Sequence, residues 1–265
     1  MNDKSPGYIA AVHPKFDDYC SKYPHVAMQR QDGILQLTLN TDGDSLEWSF
    51  EVHHELGYCW ADVGADPDNK LIVLTGAGNS FIARASRGYR AKMPDAREWI
   101  FDHTEAKRLV GALLDIEQPI VAAINGPVFG HAELPLLADI VLMSDDAYLR
   151  DPHIKNGLVP GDGIHVLLPL LLGLNRAKYY MLTGKKIEAQ EALSLGLVAE
   201  VLPKAKVLPR AFELAREIMQ APEGVVRLFR PTLMQNVKRL MLDGLSHGLM
   251  LEGMAVLEHW PSSKE

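Results

Sequence analysis

An α/β fold with mostly parallel strand pairing is the class that this sequence predicts. Short apolar runs at Leu71–Leu74, Pro119–Ile124 and Ile140–Met143 close on turn residues and have the length of buried strands. Stretches with near-helical apolar spacing separate them. After Gly163 the pattern turns almost wholly helical, with Val198–Leu202 as the one late strand candidate. Strands alternating with helices favour a parallel sheet covered by its crossovers.

Taken in order, residues 1–24 mix Pro, Gly, Lys and Asp with few periodic apolar positions, and read as an arm or leading helix outside the core. Ile34–Asn40 alternates apolar and polar residues, as a half-buried strand does. Ser49–Ala65 has helical spacing and stops at Asp66-Pro67. Asp95–Ile116 reads as a helix with Asp95 as its N-cap, and Ala132–Ala138 as a short helical piece between two strands. Leu168–Thr183, Glu188–Leu195, Val207–Gln220 and Glu223–Leu257 follow, broken by Gly173, Gly184, Gly196 and Pro222. The expected organisation is an arm (1–24), an α/β core (25–204) and a C-terminal helical region (205–265). One side of the last helix carries Val226, Leu228, Phe229, Leu233, Val237, Leu240, Met241, Leu245 and Leu249. Subunit association and simple packing on the body both account for that face.

Composition excludes several classes. The 265 residues are 47% hydrophobic and 23% charged, enough for one full core. A net charge of −7 argues against nucleic acid, and the basic pairs Arg227/Arg230 and Lys238/Arg239 read as a solvated helix face. Cys20 and Cys59 give neither metal spacing nor a disulfide framework, which favours a reducing cytoplasm. The opening M-N-D-K-S-P-G-Y-I lacks the apolar core of a signal peptide. The run Ile164–Leu174 is too short to span a bilayer, so no membrane partner is expected.

The chemistry concentrates between Asn125 and Gly163: N-G-P-V-F-G-H-A-E-L, D-P-H-I and P-G-D-G. Histidines and carboxylates there lie beside glycine turns and between apolar runs. Buried polar groups must be paired or functional, and a glycine lets backbone N–H groups approach a developing oxyanion. Carbonyl chemistry follows as the expectation. No phosphate loop, nicotinamide fingerprint or zinc spacing is present, so neither metal nor cofactor is expected. The adjacent His53-His54 pair cannot readily chelate from one helix.

These landmarks, in this order, resemble the crotonase (enoyl-CoA hydratase/isomerase) superfamily. They are T-L-N at 38–40, L-I-V-L-T-G at 71–76, P-I-V-A-A-I-N-G-P-V at 119–128, G-L-V-P-G-D-G at 157–163, M-L-T-G at 181–184 and E-A-L-S-L-G-L-V at 191–198. The resemblance covers roughly residues 26–220. It implies a spiral of β-β-α turns with two roughly perpendicular sheets, and a helical C-terminal region that builds trimers or dimers of trimers.

The departures bear on function. Ala83-Arg84-Ala85-Ser86 stands where the family places A-G-A-D, and Phe129-Gly130-His131 replaces its triple glycine. Glu133 keeps one hydratase glutamate, whereas His153, in P-H-I, replaces the second. The substitutions resemble a small branch of β-diketone hydrolases typified by 6-oxocamphor hydrolase. Ser45-Leu46-Glu47-Trp48, His131, Pro152-His153, Gly157–His165 and the Gly248–Glu252 stretch match that branch. It implies a coenzyme-A-independent retro-Claisen hydrolysis of a small-molecule, cyclic or otherwise apolar diketone.

Such a reaction needs a base for water, a cradle for the tetrahedral oxyanion and donors to the departing enolate. The resemblance implies His153 as base with Asp162 as its carboxylate, a glycine N–H at Gly130, His131 and Trp48 at the carbonyl oxygens, and Glu252 near His153 or the water. Glu133 reads either as a catalytic carboxylate or as a helix-start charge, and His165 as structural support. Two other readings stay open: an acyl-CoA enzyme, with Arg84, Arg87 and Arg90 available to phosphates, and an idle oligomeric scaffold. The scaffold would show an apolar or uncoupled pocket, with His153 and Asp162 too far apart to hydrogen-bond.

Overall fold

The computed structural model describes residues 13–86, 89 and 95–259. In chain order the elements are α1 (Phe16–Tyr19), β1 (Val26–Gln31), β2 (Ile34–Leu39), β3 (Glu47–Trp48), α2 (Phe50–Ala65), β4 (Leu71–Gly76), β5 (Arg84–Ala85), α3 (Ala96–Asp115), β6 (Ile120–Ile124) and α4 (Glu133–Leu136). There follow β7 (Ile140–Ser144), β8 (Tyr148–Leu149), a 3₁₀ turn (His153–Asn156), α5 (Ile164–Leu172), α6 (Leu174–Thr183), β9 (Ile187–Glu188), α7 (Ala189–Ser194), β10 (Glu200–Leu202), α8 (Lys204–Ile218) and α9 (Glu223–His259).

The main sheet has the order β1-β2-β4-β6-β7-β10. Only the β1–β2 hairpin is antiparallel; its two-residue loop, Asp32-Gly33, has φ of 52° and 80°, as a type I′ turn requires. The other pairs are parallel, in keeping with the α/β expectation. A second set of strands is reduced to the pairs β3–β5 and β8–β9 and to single bridges joining Ile82, Val128 and Leu149. These short pieces carry the loops that hold the site.

Period-two alternation sorts the sheet's side chains. Ile72, Leu74, Ile120, Ala122 and Ile124 point into the main core with Leu56, Leu109 and Leu113. Leu71, Val73, Val121 and Ala123 point the other way, against Val207, Ala211 and Ala215 of α8. Helix α8 therefore closes the sheet's outer face, and a boundary at 204/205 cuts through a helix that belongs to the body.

Two further expectations change. The segment read as an arm contributes Tyr19 and Tyr23 to the core, with the Tyr19 hydroxyl donating to Asp66 at 2.8 Å. Arg230, read as part of a solvated face, is 1% exposed. Its guanidinium donates to the carbonyls of Ile116, Leu137 and Leu113 and pairs with Asp139 at 3.1 Å. Helix α9 is long and apolar enough to cross a membrane by length and composition. Its Met241, Leu245 and Leu249 nonetheless lie in the core, where α9 runs against α3 and α5. The apolar face divides: those residues are buried, while Leu228, Phe229 and Leu233 are 63%, 60% and 61% exposed.

Candidate active site

Strand β6 delivers the chain into Asn125-Gly126-Pro127, and Val128 then bridges to the second set of strands. His131 follows in the left-handed region, at φ 51°. That conformation costs a non-glycine residue about 1–3 kcal/mol unless its surroundings hold it. Two contacts do so: Nδ1 lies 2.8 Å from Glu133 Oε1, and the ring stacks on Trp48 with centroids 3.6 Å apart and planes at 22°. Trp48 is fixed in turn by the β3–β5 pairing and by its carbonyl, which accepts from the Ser86 N–H at 2.7 Å. Among the described residues its buried Nε1–H meets no acceptor in hydrogen-bonding geometry, although the Tyr89 hydroxyl lies beside it.

Glu133 is fully buried at the start of α4, and burial pushes its carboxyl up to about 8. Burial pushes His131 down to about 4, outweighing the nearby Asp162 carboxylate. At neutral pH both groups are therefore uncharged. With the carboxyl proton on Oε1, Glu133 donates to Nδ1 and the ring carries its own proton on Nε2; with it on Oε2, Oε1 accepts from an Nδ1–H.

His153 sits at the start of the 3₁₀ turn, buried, and its carboxylate partner differs from the one expected. The hydrogen bond to its ring comes from Asp151: Nδ1 lies 2.5 Å from Asp151 Oδ1, which also accepts the His153 backbone N–H at 3.1 Å. Asp162 stands 3.7 Å from Nε2, too far for a hydrogen bond, and 3.3 Å from His131 Nδ1. The expected His153–Asp162 pair is thus a charge contact: the separation is the one the scaffold reading expects, but the two groups stay electrostatically coupled in one pocket, which that reading does not. Glu252 Oε1 stands 3.6 Å from the same Nε2. Burial opposes an imidazolium at His153, yet Asp151 and Asp162 hold its pKa well above the usual histidine value. Burial and then Glu133 push Asp162 up to about 7.

Gly161 explains how a loop and the C-terminal helix meet here. A Cβ on it would lie 2.6 Å from Glu252 Oε2 and from the Gly248 backbone, so only glycine lets Asp162 and Glu252 converge. His165 turns from the centre toward α9, with Nε2 3.3 Å from the Gly244 carbonyl oxygen. Arg84 is paired with Glu47, and Arg87 and Arg90 lie outside the described residues.

The pocket joining these groups encloses about 860 Å³ including its mouth, and Gly130, His131, His153, Asp162 and Glu252 are among its lining. Phe50, Tyr89, Trp99 and Leu249 supply apolar wall. His53 also lines it, buried and pushed down to about 3 by burial and then by His131. Sequence reasoning missed His53 because it weighed the 53–54 pair only as a chelator; His54 turns away to Asp102 at 3.2 Å. It missed Asp151 as well, although an Asp two residues before a His, across a Pro, is an Asx-turn pattern. His131, Glu133 and Asp162 offer donor atoms within 4.8 Å of one another. A metal there would have to displace the His131–Glu133 contact.

A mostly apolar pocket holding a cluster of histidines and carboxylates, walled on one flank by the C-terminal helix, sits in what is a crotonase-fold protein. Residues 29–253 match the enoyl-CoA hydratase/isomerase family, and the chain belongs to it. It is 32% identical over 219 residues to a probable enoyl-CoA hydratase, EchA12, of Mycobacterium tuberculosis, covering 79% of this chain and 76% of that one. Among solved structures it is similar to ABDH, a β-diketone hydrolase from Anabaena sp. PCC 7120 bound to (S)-3-oxocyclohexyl acetic acid. The TM-score is 0.89 at 37% identity, over 93% of this chain and 98% of that one. An enoyl-CoA hydratase/isomerase from Mycobacterium paratuberculosis is similar with a TM-score of 0.81 at 30% identity, over 88% and 94% of the two chains.

Proposed function

We propose that this chain is a hydrolase that cleaves a C–C bond of a cyclic β-diketone by adding water, giving a keto acid. The observation that carries this reading is the replacement of one hydratase carboxylate by His153. Its ring is bonded to one carboxylate and flanked by two, in one pocket with the stacked Trp48–His131 pair. A hydratase needs two carboxylates about one water; here a basic imidazole faces neutral ring donors, which suit two ketone oxygens. The likeness to ABDH, whose bound ligand is itself a cyclic keto acid, supports the assignment.

With Nδ1–H given to Asp151, Nε2 of His153, in the deprotonated fraction that grows as pH rises toward its raised pKa, accepts a proton from water as the oxygen attacks one carbonyl carbon. Asp162 and Glu252 stabilise the imidazolium so formed. The tetrahedral alkoxide, within reach of the Gly130 turn, re-forms a C=O bond. The C–C electron pair leaves toward the second carbonyl as an enolate. The Nε2–H of His131 holds that enolate oxygen. Protonation of the enolate carbon returns the proton held on His153 and completes the keto acid.

The test is incubation with monocyclic and bicyclic 1,3-diketones without coenzyme A. Loss of diketone absorbance is expected, with label from heavy-oxygen water confined to the new carboxylate. His153→Ala should lower turnover by about 10²–10⁴-fold, the usual worth of a positioned base. Inert diketones together with rapid turnover of crotonyl-type thioesters would establish the acyl-CoA reading instead.

A further inference from the structure

We infer that Asp151 is the positioning residue of this site: it fixes the His153 tautomer and makes Nε2 the working nitrogen. The inference rests on the proposed hydrolase reading for its kinetic consequence, but not for its structural one. Asp151 leaves β8 immediately before Pro152, and a single oxygen, Oδ1, takes both the backbone N–H and the ring Nδ1–H of His153. Two bonds to one acceptor fix the position and rotation of the ring together. A carboxylate only accepts, so the proton at Nδ1 is obligatory and the lone pair of the neutral ring falls on Nε2. Nε2 is the ring atom that lies beside Asp162 and Glu252.

The other charged or titratable groups around the ring cannot do this. Asp162 and Glu252 both lie on the Nε2 side, at 3.7 and 3.6 Å. Glu133 and His131 are engaged with each other, and His165 is turned to Gly244. Asp151 is itself buried, and its Oδ2 has no hydrogen-bond partner among the described residues. A buried carboxylate left half-satisfied is an expensive choice for a loop that needed only a turn. Its electrostatic partner is the His153 ring: burial alone would raise the Asp151 carboxyl, and His153 holds it below the usual range.

The experiment is a nitrogen-15 NMR titration of the histidine rings in the full-length protein, with His153→Gln supplying the assignment. Wild type should show His153 protonated on Nδ1 in its neutral form, titrating above the ordinary midpoint of about 6.5. Asp151→Asn should lower the midpoint by a unit or more and mix the tautomers, whereas Asp162→Asn should leave the Nδ1 tautomer in place. In kinetics on a diketone, Asp151→Asn should shift the acid limb of kcat/KM downward in pH. It should also cut kcat by about 10²-fold or more, as loss of the correct tautomer does, with KM nearly unchanged and partial recovery in Asp151→Glu. An unchanged tautomer and midpoint in Asp151→Asn would overturn the inference, as would tautomer loss in Asp162→Asn alone. Should Asp151→Asn fail to fold, the wild-type and Asp162→Asn titrations still decide. If diketones prove inert, the NMR result stands apart from the failed substrate reading.

Discussion

At the scale of single residues, the site is a set of buried groups whose charges are set by one another. Glu133 is the sharpest case. Its carboxyl is raised to about 8 in the fold, so between its unfolded value and about 8 the native state binds the extra proton. Stability must then fall as pH rises through that window. Glu133→Gln removes the titration while keeping a donor for His131 Nδ1. Melting scans from pH 5 to 9 should show a shallower alkaline decline in the variant than in wild type. Equal slopes would mean that Glu133 is ionised throughout. The same substitution should leave turnover within about tenfold at pH 7, because the His131 tautomer survives. Residue types here were legible in the sequence; their pairing was not. His131, His153, Asp162 and Glu252 do converge on one pocket, but which carboxylate meets which ring nitrogen depends on rotamers and turn geometry that spacing does not encode.

Among the elements, the long ones were readable and the short ones were not. Helix α3 begins at the expected Asp95 cap, which accepts from the N–H groups of Arg97 and Glu98, and β4, β6 and β7 fall on the three apolar runs. Strands β3, β5, β8 and β9 are two residues each, too short to show a period, yet β3 holds Trp48 and β8 leads to Asp151. Helix α9 was placed correctly in sequence, and of its basic residues Arg230 alone was misread, since helical spacing does not say which face is inward. Arg230 closes carbonyls at the end of α3 and after α4 together with Asp139. Arg230→Met should leave that carboxylate and those oxygens without their donor and destabilise the fold by about 3–5 kcal/mol. Arg230→Lys should recover little, lacking the planar fork. Chemical denaturation decides both, and a midpoint like wild type in either variant would refute the anchor.

On the scale of the whole molecule, the exposed half of the α9 stripe asks for a partner. Leu228, Phe229 and Leu233 line a shallow apolar groove, and we expect a trimer or a dimer of trimers to cover them. Light scattering at micromolar concentration should give three or six times the chain mass of 29.4 kDa. A Phe229→Glu, Leu233→Glu double variant should sediment as a smaller species. A monomeric wild type would contradict this. The α/β class and its parallel sheet were legible because buried strands and crossover helices differ in period. Assembly was not, because one stripe served both core and surface.

The same helix that presents this groove also carries Glu252 to the pocket, with Arg230 riveted near its other end, about 33 Å away along the axis. Met241, Leu245 and Leu249 bed the stretch between them in the core, so the helix is held along its length. A substitution that empties that bed, such as Leu245→Ala, is then expected to loosen Glu252 against Gly161.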